Sequence, residues 1–243
     1  MSPSTKPTEL GSAMTPELPA VAVLVAVNVG RPRPDGEGGV TGIHKSPVGS
    51  PVTVRDPGSR SDGLGSGLTG DHVADRRHHG GTDQAVYAVA REELDHWATE
   101  VGRDLAAGSF GENLTTEGLD VDGALVGEIW RVGETVRLQV TGPRIPCATF
   151  ARAMGEQRWV KRFTERGRTG AYLRVLTAGQ IRAGDPITIE SRPAHDITVP
   201  LMFRALTTER ALMPRLAEID DLGLEGEREL ARWRAAQGPR LPS

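Results

Sequence analysis

The sequence predicts a mainly β protein with helices, of the α+β class, built on a closed or nearly closed β-barrel with a short C-terminal helical unit. Short β-branched runs alternate with turns that use many of the 30 glycines and 17 prolines, which is typical of barrels. Only two helical stretches interrupt these runs. The absence of a regular strand–helix alternation argues against a doubly wound nucleotide-binding sheet.

The N-terminal half of the barrel is predicted to contain strands at residues 21–29, 40–48 and 52–55. These runs are rich in β-branched residues, and the prolines near them suit strand edges or turns. Residues 56–70 hold five glycines and are predicted to form a loop.

The first helix is predicted to begin at Asp83 and to end at Gly102. Apolar residues recur between them at helical spacing and form one stripe. Asp83 suits an N-cap and Gly102 a C-cap. The residues of the stripe are Val86, Ala90, Leu94, Trp97 and Val101.

The C-terminal half repeats the pattern of short strands. A hairpin is predicted around Gly133, a helix at residues 148–165, and further strands at 171–177 and 186–190. After Pro193 the sequence changes to Leu, Met and Trp at helical spacing, which predicts two or three helices.

Three parts are therefore expected along the chain: a disordered leader at 1–19, the barrel domain at 20–193 and a C-terminal helical unit at 194–243. The leader is rich in Ser, Thr and Pro and has little to bury.

Composition excludes several classes of protein. The 29 Lys and Arg nearly balance the 32 Asp and Glu, whereas a dedicated nucleic-acid binder normally has a clearly basic face. The most apolar run, residues 20–27, is far shorter than the ~20 residues of a membrane span. Polar flanks also argue against a signal peptide, so a cytoplasmic location is expected. The single cysteine, Cys147, excludes disulfide scaffolds and multi-thiolate metal sites.

Residues 65–70 match the pattern G-x-G-x-x-G, but no amphipathic helix follows, so a flexible loop is favoured over a dinucleotide site. The next segment, 71–81, is the densest polar cluster in the chain. It suits a solvated loop or an anion site in which glycines permit close approach. A zinc site formed by Asp75, His78, His79 and Cys147 is a further alternative, although the spacing matches no usual zinc pattern.

Cys147 follows a predicted strand and two prolines, precedes a predicted helix, and lies three residues after Arg144. These surroundings favour a lowered thiol pKa and a thiolate, which soft metals prefer as a ligand. The alternative is a small buried hydrophobic residue, as most lone cysteines are. The residues alone leave both interpretations open.

Five segments in this order resemble the MOSC family, the domain named after the C-terminus of molybdenum-cofactor sulfurase, and in particular its YiiM-like bacterial branch. The resemblance covers about residues 21–192, and residues 197–233 are similar to a shortened form of the three-helix unit that follows the barrel in this branch. The five segments are 27–30 (VNVG), 42–48 (GIHKSPV), 70–81 (GDHVADRRHHGG), 110–114 (FGENL) and 143–147 (PRIPC).

The resemblance implies a barrel that binds the molybdenum cofactor (Mo-molybdopterin), a pterin dithiolene with a phosphate arm. In relatives a single cysteine ligates molybdenum or carries sulfur, and that role falls on Cys147. The residues expected to hold the pterin and its phosphate are Lys45, Arg76, His79, Asn113, Thr115 and Arg144.

The expected activity is a molybdenum-dependent oxidoreductase that reduces small N-hydroxylated compounds to amines, with electrons from a separate reductase. One alternative is a sulfur carrier or transferase with a persulfide at Cys147, and another is a cofactor-binding or storage protein without catalysis. No nucleic-acid or membrane partner is expected, and a homodimer is left open.

Overall fold

The computed structural model describes residues 22–237, so the predicted leader at 1–19 lies outside the described residues. Twelve strands and six α-helices are found in this part of the chain. The strands are β1 (Ala22–Gly30), β2 (Arg33–Pro34), β3 (Val40–Thr41), β4 (Lys45–Pro47), β5 (Val52–Val54), β6 (Val86–Ala90), β7 (Leu114–Glu117), β8 (Ile129–Val132), β9 (Val136–Pro143), β10 (Ala171–Thr177), β11 (Gly179–Ile181) and β12 (Pro186–Ser191). The α-helices are α1 (Arg91–Val101), α2 (Ala148–Met154), α3 (Trp159–Arg166), α4 (Val199–Leu206), α5 (Met213–Leu216) and α6 (Gly223–Ala236).

Seven strands close into a barrel in the order β1-β12-β8-β9-β10-β6-β7, with β7 pairing back to β1. All neighbours are antiparallel except β6 and β7, which run parallel. The short strand β4 pairs with the end of β1, where Gly30 faces Lys45. The predicted fold class, a mainly β barrel with a C-terminal helical unit, is therefore confirmed.

The barrel interior is packed with aliphatic side chains and one tryptophan, Trp130, which is fully buried. The predicted hairpin around Gly133 is present, because β8 pairs with β9 from Ile129 to Val132. Closure also removes the exposed sheet edges that would otherwise invite aggregation.

The prediction that a helix begins at Asp83 is wrong. A short 3-10 turn at Thr82–Gln84 leads into strand β6, and the helix begins only at Arg91. All five residues of β6 are buried, and a short apolar run buried on both faces cannot be distinguished from a helix by periodicity alone. The C-cap is correct, since Gly102 has a φ of 69°.

The helix predicted at 148–165 is divided into α2 and α3, because Gly155 ends α2 in a left-handed conformation. These helices, α1 and the loop before β7 carry an aromatic cluster that packs outside the barrel and holds five of the eight Phe and Trp residues. Adjacent ring centroids in it lie 4.6–6.2 Å apart. The five residues are Trp97, Phe110, Phe150, Trp159 and Phe163.

The C-terminal helices pack against the barrel and form a third apolar core of their own. Val199 of α4 belongs to the barrel core, and Thr198 forms an isolated bridge with Leu125. No helix within residues 22–237 is long and apolar enough to cross a bilayer. The division at residues 193 and 194 stays a prediction.

Candidate functional site

A cavity of about 810 Å³ lies at the end of the barrel where β9 finishes and β7 begins. This volume falls in the range of small-molecule sites, about 300–1,000 Å³. Four parts of the chain form most of its walls: residues 40–45, the loop at residues 71–80, the segment 141–149, and the start of α6. The barrel therefore presents two strand ends to the cavity, and the C-terminal helices close one side.

Cys147 lies on the cavity wall, four residues after the end of β9 and at the N-cap position of α2. Its backbone is extended, with φ −129° and ψ 171°, and the residue is half-buried. Its carbonyl oxygen accepts a hydrogen bond from the Ala151 amide at 3.0 Å. The prediction that a helix follows Cys147 is confirmed, and the thiol is the single sulfhydryl group of the chain.

Arg144 is a buried cation beside Cys147, with 5% of its surface exposed. Its guanidinium carbon lies 4.1 Å from the centroid of the Phe150 ring and 5.0 Å from that of Tyr87. Its Nη1 donates to the carbonyl of Phe110, whereas its Nε has no hydrogen-bond partner. Within residues 22–237 no carboxylate forms an ion pair with Arg144. A buried cation without a counter-charge favours an anionic ligand.

Lys45 and Asp71 form a buried ion pair at the cavity wall, with Nζ and Oδ2 2.5 Å apart. The Asp71 carboxylate also accepts from Ser66 Oγ at 2.6 Å, the Gly30 amide at 2.7 Å and Asn113 Nδ2 at 2.9 Å. Burial works against ionisation of Asp71, but Lys45 and these hydrogen bonds outweigh it and hold the pKa of the carboxyl below its usual value. Asp71 therefore ties β1, β4 and the start of β7 together.

The charge of Lys45 is balanced by Asp71, so Lys45 contributes a positioned donor more than a net charge. Burial lowers the pKa of Lys45, and the facing Asp71 carboxylate opposes that shift. Asn113 is also a positioned donor without net charge, because its side chain donates to Asp71 and accepts from the backbone amide of Tyr87. Both residues were predicted to bind the cofactor, and both line the cavity.

His79 lies half-buried on the cavity wall. Burial and the nearby charge of Arg144 lower its pKa to about 4. The imidazole is therefore neutral at pH 7 and can donate one hydrogen bond and accept another. Gly81, two residues later, has a φ of 80°, and a Cβ there would lie 2.9 Å from the Arg60 backbone. A glycine is thus needed where this loop packs against its neighbour.

The structure places two of the predicted residues away from this cavity. Thr115 is fully buried in the barrel wall, where it accepts from Asn28 Nδ2 and donates to Glu112 Oε1. Arg76 lines a neighbouring depression, and one of its nitrogens donates to the carbonyl of Gly63. Five predicted residues share the cavity wall: Lys45, His79, Asn113, Arg144 and Cys147.

The sequence did not identify Asp71, Tyr87 or Tyr172 as site residues, although all three line the cavity. Asp71 belonged to a polar cluster, but its pairing with Lys45 spans 26 residues and leaves no local signal. Tyr87 lies within the stretch where the sequence predicts a helix, whereas the structure places it in β6. Within residues 22–237, no group of three or more His, Cys, Asp or Glu side chains could hold a metal ion, which speaks against the zinc alternative.

Taken together, the fold and the cavity define a closed mixed barrel that presents one thiol beside a buried arginine. The family model described as "MOSC domain" matches residues 75–188. The "Uncharacterized protein YflK" of Bacillus subtilis (strain 168) is 34% identical over 184 residues, covering 74% of this chain and 79% of that protein. The chain belongs to the MOSC domain family.

A solved structure places the chain near the YiiM-like branch. The crystal structure of YiiM from Geobacillus stearothermophilus superposes with a TM-score of 0.70 at 27% identity, covering 87% of this chain and 98% of that one. A protein from Gibberella moniliformis named "Reductase" is 29% identical over 215 residues. That match covers 86% of this chain and 36% of the fungal protein, so the chain spans about a third of that relative.

Proposed function

We propose that this protein binds the molybdenum cofactor and reduces N-hydroxylated compounds, such as hydroxylamines, amidoximes or N-hydroxylated bases, to amines. The reaction takes two electrons and two protons, breaks the N–O bond and releases the oxygen as water. The single observation that carries the proposal is the placement of Cys147 on the cavity wall beside the buried, unpaired Arg144. Membership of the MOSC family and the similarity to a protein named "Reductase" support it.

The residues present fit a sulfur-rich anionic cofactor. A pterin dithiolene supplies two sulfurs itself, so one protein thiolate is the ligand that a soft metal would still require, and Cys147 offers it. The buried Nε of Arg144 lacks a partner and suits the negative charge of a phosphate. When bound, the cofactor supplies the two-electron redox chemistry.

The chain's own residues would position the ligand and exclude water. Lys45 and Asn113 offer N–H groups whose orientation Asp71 holds. His79, neutral at pH 7, would donate or accept one hydrogen bond without adding charge. Phe150 packs on the guanidinium of Arg144 and shields it from water. Thr115 would not contact the ligand; it would position Asn28 and Glu112, to which its side chain is hydrogen-bonded.

Electrons would come from a separate reductase that docks near the cavity, and the substrate is a small N-hydroxylated molecule. This part of the proposal predicts that the purified chain reduces substrate only when an electron donor is supplied. A reduced dye is a sufficient donor for that test.

Metal analysis after expression in a cofactor-competent host tests the proposal. We expect molybdenum bound to the wild-type protein and reduction of hydroxylamine with the supplied donor. Cys147→Ala is expected to lose both, because it removes the thiolate. Ser191→Ala, on the exposed face of β12, serves as the control and should keep both.

Two results would replace this proposal by its alternatives. Metal-free protein that carries a cyanide-labile sulfur at Cys147 would identify a sulfur carrier. Molybdenum bound to a protein that reduces none of the three substrate classes would identify a cofactor-binding or storage protein.

A further inference from the structure

A second depression, of about 940 Å³, adjoins the main cavity and opens outward from it. Its walls come from the start of β3, residues 59–61, the loop at 74–78 and one face of α6. Arg60, Arg77 and Arg228 line both spaces, so these side chains lie where the two spaces meet.

The outer depression is strongly cationic. Four arginines line it, together with one carboxylate, Asp75, which already pairs with His78 at 2.9 Å. Within residues 22–237, Arg76, Arg77 and Arg228 form no ion pair with any carboxylate. Arg60 is held in place by the Gly80 carbonyl at 3.3 Å and by Glu225 at 3.7 Å.

Arg76 adds an independent observation, because its Nε is buried and has no hydrogen-bond partner. Buried N–H groups are normally satisfied by protein or by a ligand. The guanidinium is also anchored through the Gly63 carbonyl, so it is positioned before any ligand arrives. Pre-positioned arginines bind phosphate through paired N–H donors.

The depression is not uniformly polar. Val40 is 54% exposed and Leu224 is 39% exposed, and both line it beside the arginines. Exposed apolar side chains next to unpaired guanidinium groups suit an organic molecule that carries a phosphate better than they suit a free inorganic anion.

We propose that this outer depression binds the phosphate monoester of the substrate, so that nucleotide-like N-hydroxylated compounds are bound in preference to free bases. The phosphate would contact Arg76, Arg77 and Arg228, and the apolar part of the ligand would lie on Val40 and Leu224. That the phosphate belongs to a substrate rests on the proposed reductase function, whereas the phosphate site itself does not.

Equilibrium binding to the purified full-length protein tests the site without any redox reaction. 5′-AMP and adenosine are the probes, at one fixed ionic strength because exposed charges are screened by salt. We expect 5′-AMP to bind at least about tenfold more tightly than adenosine, which corresponds to about 1.4 kcal/mol. The double variant Arg77→Gln/Arg228→Gln should lose this preference and leave adenosine binding unchanged.

A matched double variant controls for overall charge. Arg131→Gln/Arg234→Gln removes two exposed arginines that line neither depression and should keep the preference for 5′-AMP. Equal affinity for the two probes, or an equal loss in both double variants, would overturn the proposal.

The same measurement on cofactor-loaded protein identifies the source of the phosphate. Binding of 5′-AMP that persists in loaded protein supports a substrate site. Binding that loading abolishes would assign the depression to the phosphate arm of the cofactor and overturn the substrate proposal. Arginine-dependent binding in a protein that reduces no substrate would refute the reductase function and leave the phosphate site standing.

Discussion

Asp71 is the residue on which the arrangement of the cavity wall depends most. Its side chain is fully buried and accepts four hydrogen bonds, from Lys45, Ser66, Gly30 and Asn113. Removing one member of a buried ion pair leaves the other charge uncompensated, which destabilises proteins strongly. Loss of the Asp71 carboxylate would therefore leave the charge of Lys45 buried without a counter-charge.

Replacing Asp71 by Asn should lower the free energy of unfolding by about 3–5 kcal/mol, because Lys45 would stay buried without a counter-charge. Urea denaturation followed by fluorescence measures this. Asp75→Asn is the matched control: its pair with His78 is exposed, and such pairs contribute less than about 1 kcal/mol. Equal stability of the two variants would show that Lys45 finds another partner.

Asp122 predicts a pH dependence of stability. Burial raises its pKa to about 6, and its Oδ2 has no hydrogen-bond partner. The folded state therefore holds a proton that the unfolded state, with an ordinary pKa near 3.8, has released. The stability from this group is fully present below pH 3.8 and is lost as the pH rises through 6.

The test of this titration is Asp122→Asn, which keeps the oxygen that accepts from the Gly170 amide. We expect the variant to gain about 2.4 kcal/mol of unfolding free energy relative to wild type between pH 4 and pH 8. Denaturant titrations at both pH values measure it. A difference between variant and wild type that does not change with pH would contradict the raised pKa.

At the scale of elements, the first two amides of α6 are held by two carboxylates, because the N-cap residue Leu222 has no side chain that could accept a hydrogen bond. Asp221 Oδ1 accepts from the Gly223 amide at 3.1 Å. Asp83, 141 residues before Leu224 in the chain, supplies the second acceptor: its Oδ2 accepts from the Leu224 amide at 2.6 Å. Its Oδ1 lies 2.6 Å from Arg174 of β10, which also pairs with Asp221 just before α6. One carboxylate thus fastens the helix that closes the cavity to the barrel.

Asp83→Ala should cost about 1–2 kcal/mol of stability, as the loss of an N-cap does. Amide hydrogen exchange should accelerate in α6 more than in β9. Glu227→Ala, on the exposed face of the same helix, controls for the loss of an acidic side chain. Unchanged exchange in α6 would mean that the apolar contacts of Leu222 and Leu230 hold the helix without Asp83.

Prediction from sequence succeeded where the signal was local. The strands near Gly133, the C-cap at Gly102 and the helix after Cys147 all follow from neighbouring residues. The prediction failed at β6 because all five of its residues are apolar or aromatic and buried, so that Val86 and Ala90 also fit the spacing of a helix. Asp71 could not be recognised either, since its partners are brought together only by closure of the barrel.

At the scale of the whole molecule, three apolar cores are joined around one cavity. Tyr87 and Val89 of β6 belong to the aromatic cluster's core, while Val86 and Ala88 of the same strand belong to the barrel core. Val199 extends the barrel core into α4. Alternate residues of β6 therefore couple the aromatic cluster, which lies next to Cys147, to the barrel core. Val199 couples the C-terminal helices to the barrel core in the same way.

This coupling predicts that a substitution that destabilises one core lowers the stability of all three. Phe150→Ala should lower the free energy of unfolding by about 3–5 kcal/mol, since the ring is fully buried. If the protein unfolds as one cooperative unit, the slowest-exchanging amides of β10 and α6 should lose protection by that same free energy. Val160→Ala, at a 39% exposed position of α3, should change stability by less than about 0.5 kcal/mol. Loss of protection confined to α2 and α3 would show that the aromatic cluster unfolds independently of the barrel.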